Sequence, residues 1–209
     1  NQLVKKNKID TIFHLVATLS AKGEKNPFKS WKLNVDSFQT IIEICIKNNI
    51  KNVFWPSSIA VFGTDSQLEN VPQNPILNPS SIYGITKLAG EKLLEYYNQK
   101  FNLDIRSLRY PGIISMSSKP GGGTTDYVIE MINSARNKMK YICFLEKNTE
   151  LPMMLIDDAV QSAYQLMSVK KSCLSVKGSY NINSFSITPK VLKKQILSNG
   201  FEIDVEFKP

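Results

Sequence analysis

Ten glycines are present in this 209-residue chain, yet none form Gly-x-Gly-x-x-Gly or Gly-x-x-Gly-x-x-Gly, the arrangement that brings backbone amides onto a dinucleotide pyrophosphate. Three of them stand together at 121–123 without a following Lys-Ser or Lys-Thr, which excludes a P-loop. The three cysteines, Cys45, Cys143 and Cys173, are odd in number and far apart, so they build neither a disulfide framework nor a metal site. No metal is expected. Arginine is scarce, three against 23 lysines, and the net charge of +8 is spread without a basic block, which argues against a nucleic-acid groove. No run approaches the roughly 18 apolar residues of a membrane span, and the polar start is no secretory signal. The expected setting is cytoplasmic, or the mitochondrial matrix if the source is eukaryotic.

Short apolar runs alternate with helical periodicity. "TIFHLVA" (11–17), "NVFWPSS" (52–58) and "DIRSLRYPG" (104–112) read as strands. Between them, Trp31, Val35, Phe38, Ile42 and Cys45, then Ile82, Ile85, Ala89, Leu93 and Tyr96, recur at helical spacing. This is the pattern of a parallel sheet covered by helices, an α/β fold of Rossmann type. Such sheets bind ligands at the carboxyl ends of their strands, where Ser20, Ser57, Ser58 and Tyr110 fall. After residue 112 the rhythm changes. A helix near 125–138, a strand at 141–145, a helix beginning at Asp157-Asp158, a strand at 179–182 and a helix from Thr188 make a smaller α/β lobe. The expected division is 1–115 as a partial dinucleotide-binding domain and 116–209 as a partial substrate-binding lobe. Both ends look cut: the first residue is Asn, and "FEIDVEF" near the end alternates like a strand with nothing to pair against.

The chemistry concentrates in "SSIYGITKLAGEK" (80–92), where Tyr83 and Lys87 are four residues apart and so share a helix face. A nearby ammonium stabilises a phenolate and makes tyrosine a usable base. A second pair with this spacing, Tyr96 and Lys100, sits mid-helix without a serine-bearing strand end and reads as packing. Ser58 closes a strand 25 residues before Tyr83, so two hydroxyls could converge on one substrate oxygen. His14, the one histidine, lies within the first strand run and reads as a satisfied core imidazole.

This Ser-Tyr-Lys set resembles the extended short-chain dehydrogenase/reductase superfamily, the NAD-dependent epimerases and dehydratases. More closely, "LSAKGEKNP", Trp31 with Asn34, "FWPSSIAVFG", "YGITKLAGE", "RSLRYPGIIS", "PGGGTTDY" and "LPMMLIDDA" together resemble the short-chain type of L-threonine 3-dehydrogenase. The resemblance implies a doubly wound sheet whose first βαβ, with the glycine fingerprint, is missing here. It also implies NAD as cofactor and oxidation of the L-threonine 3-hydroxyl to 2-amino-3-oxobutyrate, a step of threonine catabolism. Ser58, Tyr83 and Lys87 would be the catalytic set. Leu15, Ala17, Asn34, Tyr83, Lys87, Tyr110, Pro111 and Ile113 would face the cofactor. Ser20, Ser57, Ser58, Tyr83, Thr124 and Thr125 would face the substrate, the last two from the glycine loop. A homodimer is implied through the helix that carries Tyr83 and the helix before it.

Val16 and Thr18 depart from the residues common in that family, which would narrow the cofactor path. Two other readings stand beside this one. A nucleotide-sugar 4-epimerase or dehydratase shares the triad, and a truncated, non-catalytic scaffold would explain the missing fingerprint.

Overall fold

The structure, a computed structural model, describes residues 2–63, 69–117 and 120–209. The chain forms two compact units: Asn1–Tyr110 with Val160–Ile182, and Pro111–Ala159 with Asn183–Pro209.

The first unit opens with a short helix α1 (Gln2–Lys6) and strand β1 (Thr11–Phe13). Helices α2 (Ser20–Glu24) and α3 (Pro27–Trp31) follow, then a π-helical turn at Lys32–Asp36 and helix α4 (Ser37–Lys47). Strands β2 (Asn52–Phe54) and β3 (Ser57–Ser58) lead to the 20-residue helix α5 (Ile82–Phe101) and strand β4 (Asp104–Tyr110). β1 pairs β2, and β2 and β3 both pair β4, all in parallel. β2 and β3 are one strand in two pieces. Asn52 faces Asp104 and Ser57 faces Arg109 in a single register, with Trp55 N–H donating to the Arg106 carbonyl at 3.0 Å and Pro56 in the gap between the two pieces. Residues of the later chain complete this sheet, since the strand at Ser179–Asn181 pairs the other edge of β4, also in parallel.

Strand β1 is shorter than the apolar run 11–17 suggested. His14 N–H still reaches the Phe54 carbonyl at 2.9 Å, after which the chain leaves the sheet and Leu15 stands 64% exposed. Beneath the sheet, Phe38, Ile42 and Cys45 of α4 pack with Val53, Trp55, Leu94, Leu103 and Ile105. Each such large side chain contributes about 1.5–3 kcal/mol by leaving water. Helix α5 starts where Ser81 accepts a hydrogen bond from Gly84 N–H at 3.1 Å, an N-cap. It ends at Asn102 in the left-handed region, φ 49°, a conformation Asn tolerates.

The second unit has strands β5 (Gly112–Ile114), β6 (Tyr141–Cys143) and β7 (Leu151–Leu155), with helix α6 (Tyr127–Arg136) between the first two. Helix α7 (Ile156–Ser168) then carries the chain back to β8 (Ser179–Asn181) of the first sheet, and β9 (Phe185–Ile187), α8 (Pro189–Ser198) and β10 (Val205–Phe207) return to the second unit. β5 and β7 pair in parallel and β9 joins β7 antiparallel. The strand in "FEIDVEF" was expected to lack a partner. Instead Val205–Phe207 pairs in parallel with Tyr141–Cys143, so β6, which has no other strand beside it among the described residues, supplies the edge. The core of this unit gathers Tyr127, Met131, Cys143, Met153, Leu192, Ile196 and Val205. Among the described residues, no helix is long and apolar enough to cross a membrane.

Candidate active site

Helix α5 lies close along residues 55–60, and two glycines make that approach. A Cβ at Gly84 would stand 2.2 Å from the Ala60 carbonyl oxygen, and one at Gly90 would stand 2.3 Å from the Trp55 ring; both are closer than a Cβ can come. With the helix drawn in, three successive turns each hold one residue of the strand end. The Ser58 side chain neighbours the Tyr83 hydroxyl. Lys87 Nζ donates to the Pro56 carbonyl at 2.6 Å. Ser57 Oγ donates to Glu91 Oε1 at 2.5 Å. The carbonyl that Lys87 uses belongs to the proline that interrupts the strand.

Lys87 is 3% exposed, with its ammonium 4.6 Å from the Trp55 ring centroid and 5.6 Å from that of Tyr83. Burial pushes its pKa down to about 7, while the Glu91 carboxylate pulls the other way. Tyr83 differs from the sequence expectation of an acidified phenol: burial raises its pKa above the ordinary value, and the neighbouring Ser58 side chain opposes the rise. The phenol is therefore protonated at rest. The physical reason is that desolvation penalises the phenolate more than the one neighbouring hydroxyl compensates it.

Asn34 is presented by the π-helical turn, a kind of irregularity often found at functional sites. Its side chain accepts from Thr18 N–H at 2.7 Å and donates to the Thr18 carbonyl at 3.1 Å and to Thr86 Oγ1 at 2.9 Å. The loop that leaves β1 is thus clamped to α5 one residue from Lys87. Leu15 is exposed and Ala17 half-buried on that loop, and Ser20 begins α2. His14 is buried, with Nε2 3.1 Å from Ser37 Oγ and its ring stacked on Phe38. Burial and then the charge of Lys87 lower its pKa, so it is a neutral, partnered imidazole. Tyr110, at the end of β4, is buried with its hydroxyl 3.5 Å from Ser162 Oγ. Tyr96, of the second Tyr-x-x-x-Lys pair, is exposed on α5.

The remaining sequence candidates belong to the second unit. Pro111 is buried and Ile113 exposed on β5. Gly122 adopts φ 90°, which favours glycine, and the N–H groups of Gly122 and Gly123 donate to Asp126 Oδ2 at 2.6 and 2.8 Å. The amides that a phosphate would use are thereby taken by the chain's own carboxylate. Thr124 and Thr125 begin the 3-10 turn Thr124–Asp126 that leads into α6. The Thr125 side chain packs where a Cβ at Gly112 would meet it at 2.5 Å.

The first unit's residues suit the nicotinamide end of a dinucleotide. An ammonium has three donors, of which the Pro56 carbonyl takes one. The Tyr83 hydroxyl and the exposed apolar Leu15 flank the same strand ends. No glycine-rich pyrophosphate grip occurs in the sequence. Among the described residues, no group of His, Cys, Asp and Glu could hold a metal ion. Sequence reasoning overlooked Glu91 and Arg109. The 4-residue spacing Tyr83, Lys87, Glu91 was a visible signal that three polar side chains share a helix face, but their burial was not.

The family model described as the NAD dependent epimerase/dehydratase family matches residues 1–182. An uncharacterized epimerase/dehydratase of Staphylococcus haemolyticus is 39% identical over 209 residues, and the chain spans 65% of that protein's length. Among solved structures, the holo form of a GalE-like L-threonine dehydrogenase from Cupriavidus necator is 38% identical with TM-score 0.95, covering 100% of this chain and 68% of its own. A monomeric L-threonine 3-dehydrogenase from a metagenome is 42% identical with TM-score 0.93, covering 100% and 67%. By sequence over most of its length and by fold, the chain belongs to the NAD dependent epimerase/dehydratase family, the extended short-chain dehydrogenases/reductases.

Proposed function

We propose that this chain carries the proton-handling part of an NAD-dependent L-threonine 3-dehydrogenase. The single observation that carries the reading is the convergence of Ser58, Tyr83 and Lys87 at one strand end, with Ser58 beside the Tyr83 hydroxyl and the Lys87 ammonium 5.6 Å from the tyrosine ring. The likeness to structures named L-threonine dehydrogenase supports the choice of alcohol.

In this reading Ser58 and Tyr83 hold the threonine 3-hydroxyl between them. Tyr83 must first release its own proton to solvent; as the phenolate it then takes the hydroxyl proton as the C3–H bond breaks, and the C–O bond becomes the carbonyl of 2-amino-3-oxobutyrate. When bound, an oxidised nicotinamide supplies the acceptor for the C3 hydride and a positive charge beside the phenol. Lys87, in its ammonium form, stabilises the Tyr83 phenolate before the transfer and offers its free donors to a cofactor hydroxyl. Burial of the pair keeps water from competing for the proton. Leu15, Ala17, Asn34, Tyr110, Pro111 and Ile113 as cofactor contacts, and Ser20, Ser57, Thr124 and Thr125 as substrate contacts, enter this proposal from the family resemblance. So do a cytoplasmic setting and a homodimer, which light scattering of the full-length protein checks: a single monomeric mass overturns the dimer.

The test is NADH formation with L-threonine by the full-length protein beside Tyr83→Phe. Activity lost in the variant supports the reading. NAD binding without turnover of threonine points to a nucleotide-sugar epimerase or dehydratase and a panel of nucleotide sugars; no NAD binding points to a scaffold.

A further inference from the structure

Glu91 is the most deeply buried charged side chain in the first unit, 1% exposed. Its carboxylate takes a bidentate ion pair from Arg109, Nε to Oε1 at 2.9 Å and Nη2 to Oε2 at 2.8 Å, besides the bond from Ser57. Arg109 is itself fixed, its Nη1 donating to the Gln73 carbonyl at 3.1 Å and to Asn181 Oδ1 at 3.0 Å. Five segments of the chain therefore meet at this ion pair: β3 and β4 at the carboxylate of α5, and the loop at Gln73 and β8 at the guanidinium. An ion pair this dry is weak evidence for stability, because desolvation offsets much of the attraction. A hydrophobic pair of the same volume would pack as well, so its chemistry calls for another reason.

The reason lies one helical turn away. Glu91 follows Lys87 by four residues on the same buried face, and side chains so placed are neighbours. Ser57, which Glu91 holds, is covalently joined to Ser58, which neighbours Tyr83, and to Pro56, whose carbonyl accepts from Lys87. We propose that Glu91 is a positioning residue of this site: anchored by Arg109, it fixes the register of Pro56-Ser57-Ser58 on α5 and sets a buried carboxylate one helical turn from Lys87. This rests on Tyr83 and Lys87 being the proton-handling pair.

The other groups facing this stretch are consistent with the assignment. His14, just after β1, is neutral and so sets no charge beside the ammonium. Tyr83 on the same helix is a neutral phenol. Arg109 on β4 is cationic and bound to the carboxylate. Glu24 of α2 bonds the Ile82 N–H at the exposed start of α5, and Glu95 pairs with Lys92 on its outer side. Burial and Glu91 are the two influences that set Lys87.

The experiment titrates Lys87 directly in the full-length protein without substrate or cofactor. Nuclear magnetic resonance of isotope-labelled lysine ε-carbons is followed with pH, and the Lys87 signal is assigned by its loss in Lys87→Met. Wild type is expected to change near pH 7, and Glu91→Gln at a pH lower by roughly one unit. Glu91→Asp, which keeps the charge, is expected between the two. A folded Glu91→Gln whose Lys87 midpoint does not move overturns the proposal, as does Glu91→Asp titrating with Glu91→Gln. If Glu91→Gln fails to fold with Arg109 left unpaired, the double replacement Glu91→Gln with Arg109→Gln removes both charges; losing the more distant cation offsets part of the effect, so a smaller downward shift is required of it, and no shift overturns the proposal. Because no turnover is read, failure here is distinct from failure of the threonine reading, which the NADH assay decides.

Discussion

The Lys87 ammonium donates to the carbonyl of Pro56 at 2.6 Å, so the residue that breaks the strand is tied to the helical turn between Tyr83 and Glu91. Proline at this place does two things. It offers no N–H on the side away from β4, and its carbonyl holds the lysine beneath the tyrosine ring.

That buried ammonium makes stability depend on pH. Lys87 titrates at about 7 in the folded chain against an ordinary 10.5, so between these values the unfolded chain binds the extra proton. The cost of burying the charge is full below about 7 and is gone above 10.5. Wild type is therefore expected to gain stability relative to Lys87→Met as pH rises through this window, by on the order of a few kcal/mol. Urea unfolding of both proteins across the range checks it; a constant difference contradicts it.

Gly84→Ala tests the closeness of α5 to the strand end. The new methyl would stand 2.2 Å from the Ala60 carbonyl oxygen, so the helix must back away. A loss of about 1–3 kcal/mol is expected, together with weaker activity as Tyr83 moves from Ser58. Unaltered unfolding and activity would show that the gap is softer than described.

Asn34→Ala removes three hydrogen bonds that clamp Thr18 and Thr86. The expected cost is about 1–3 kcal/mol, with faster amide exchange at Thr18. Exchange at Thr18 as slow as in wild type would mean that the loop is held by something other than Asn34.

Local rules made part of this legible and long-range ones did not. The spacing of Tyr83 and Lys87 is a helical property, and a strand carrying Ser58 could be read from Val53 and Phe54. The break at Pro56 was implicit in "WPSS", but the single register on both sides of it depends on β4. Nothing local marks Glu91 as buried, because the groups that close around it, Arg109 and Ser57, are 18 and 34 residues away. Likewise, nothing local says that residues 179–181 return to the first sheet or that Val205 meets Tyr141. The three-residue strand β9 is too short for alternation to announce it.

Gly122→Ala tests the second unit's loop. At φ 90° an alanine is strained, and about 1–2 kcal/mol is the expected loss. Asp126→Asn should weaken the loop as well, since two amides lose a carboxylate. Thermal unfolding of both variants measures this, and no change in either would contradict the closed turn.

The central claim is that Tyr83 moves the proton of a threonine alcohol, and NADH formation by the full-length protein with L-threonine tests it most directly. Wild type is expected to be active, with Tyr83→Phe lower by about two to four orders of magnitude in kcat while still binding NAD. Full activity in Tyr83→Phe, or NAD binding with no turnover of threonine in wild type, would contradict it.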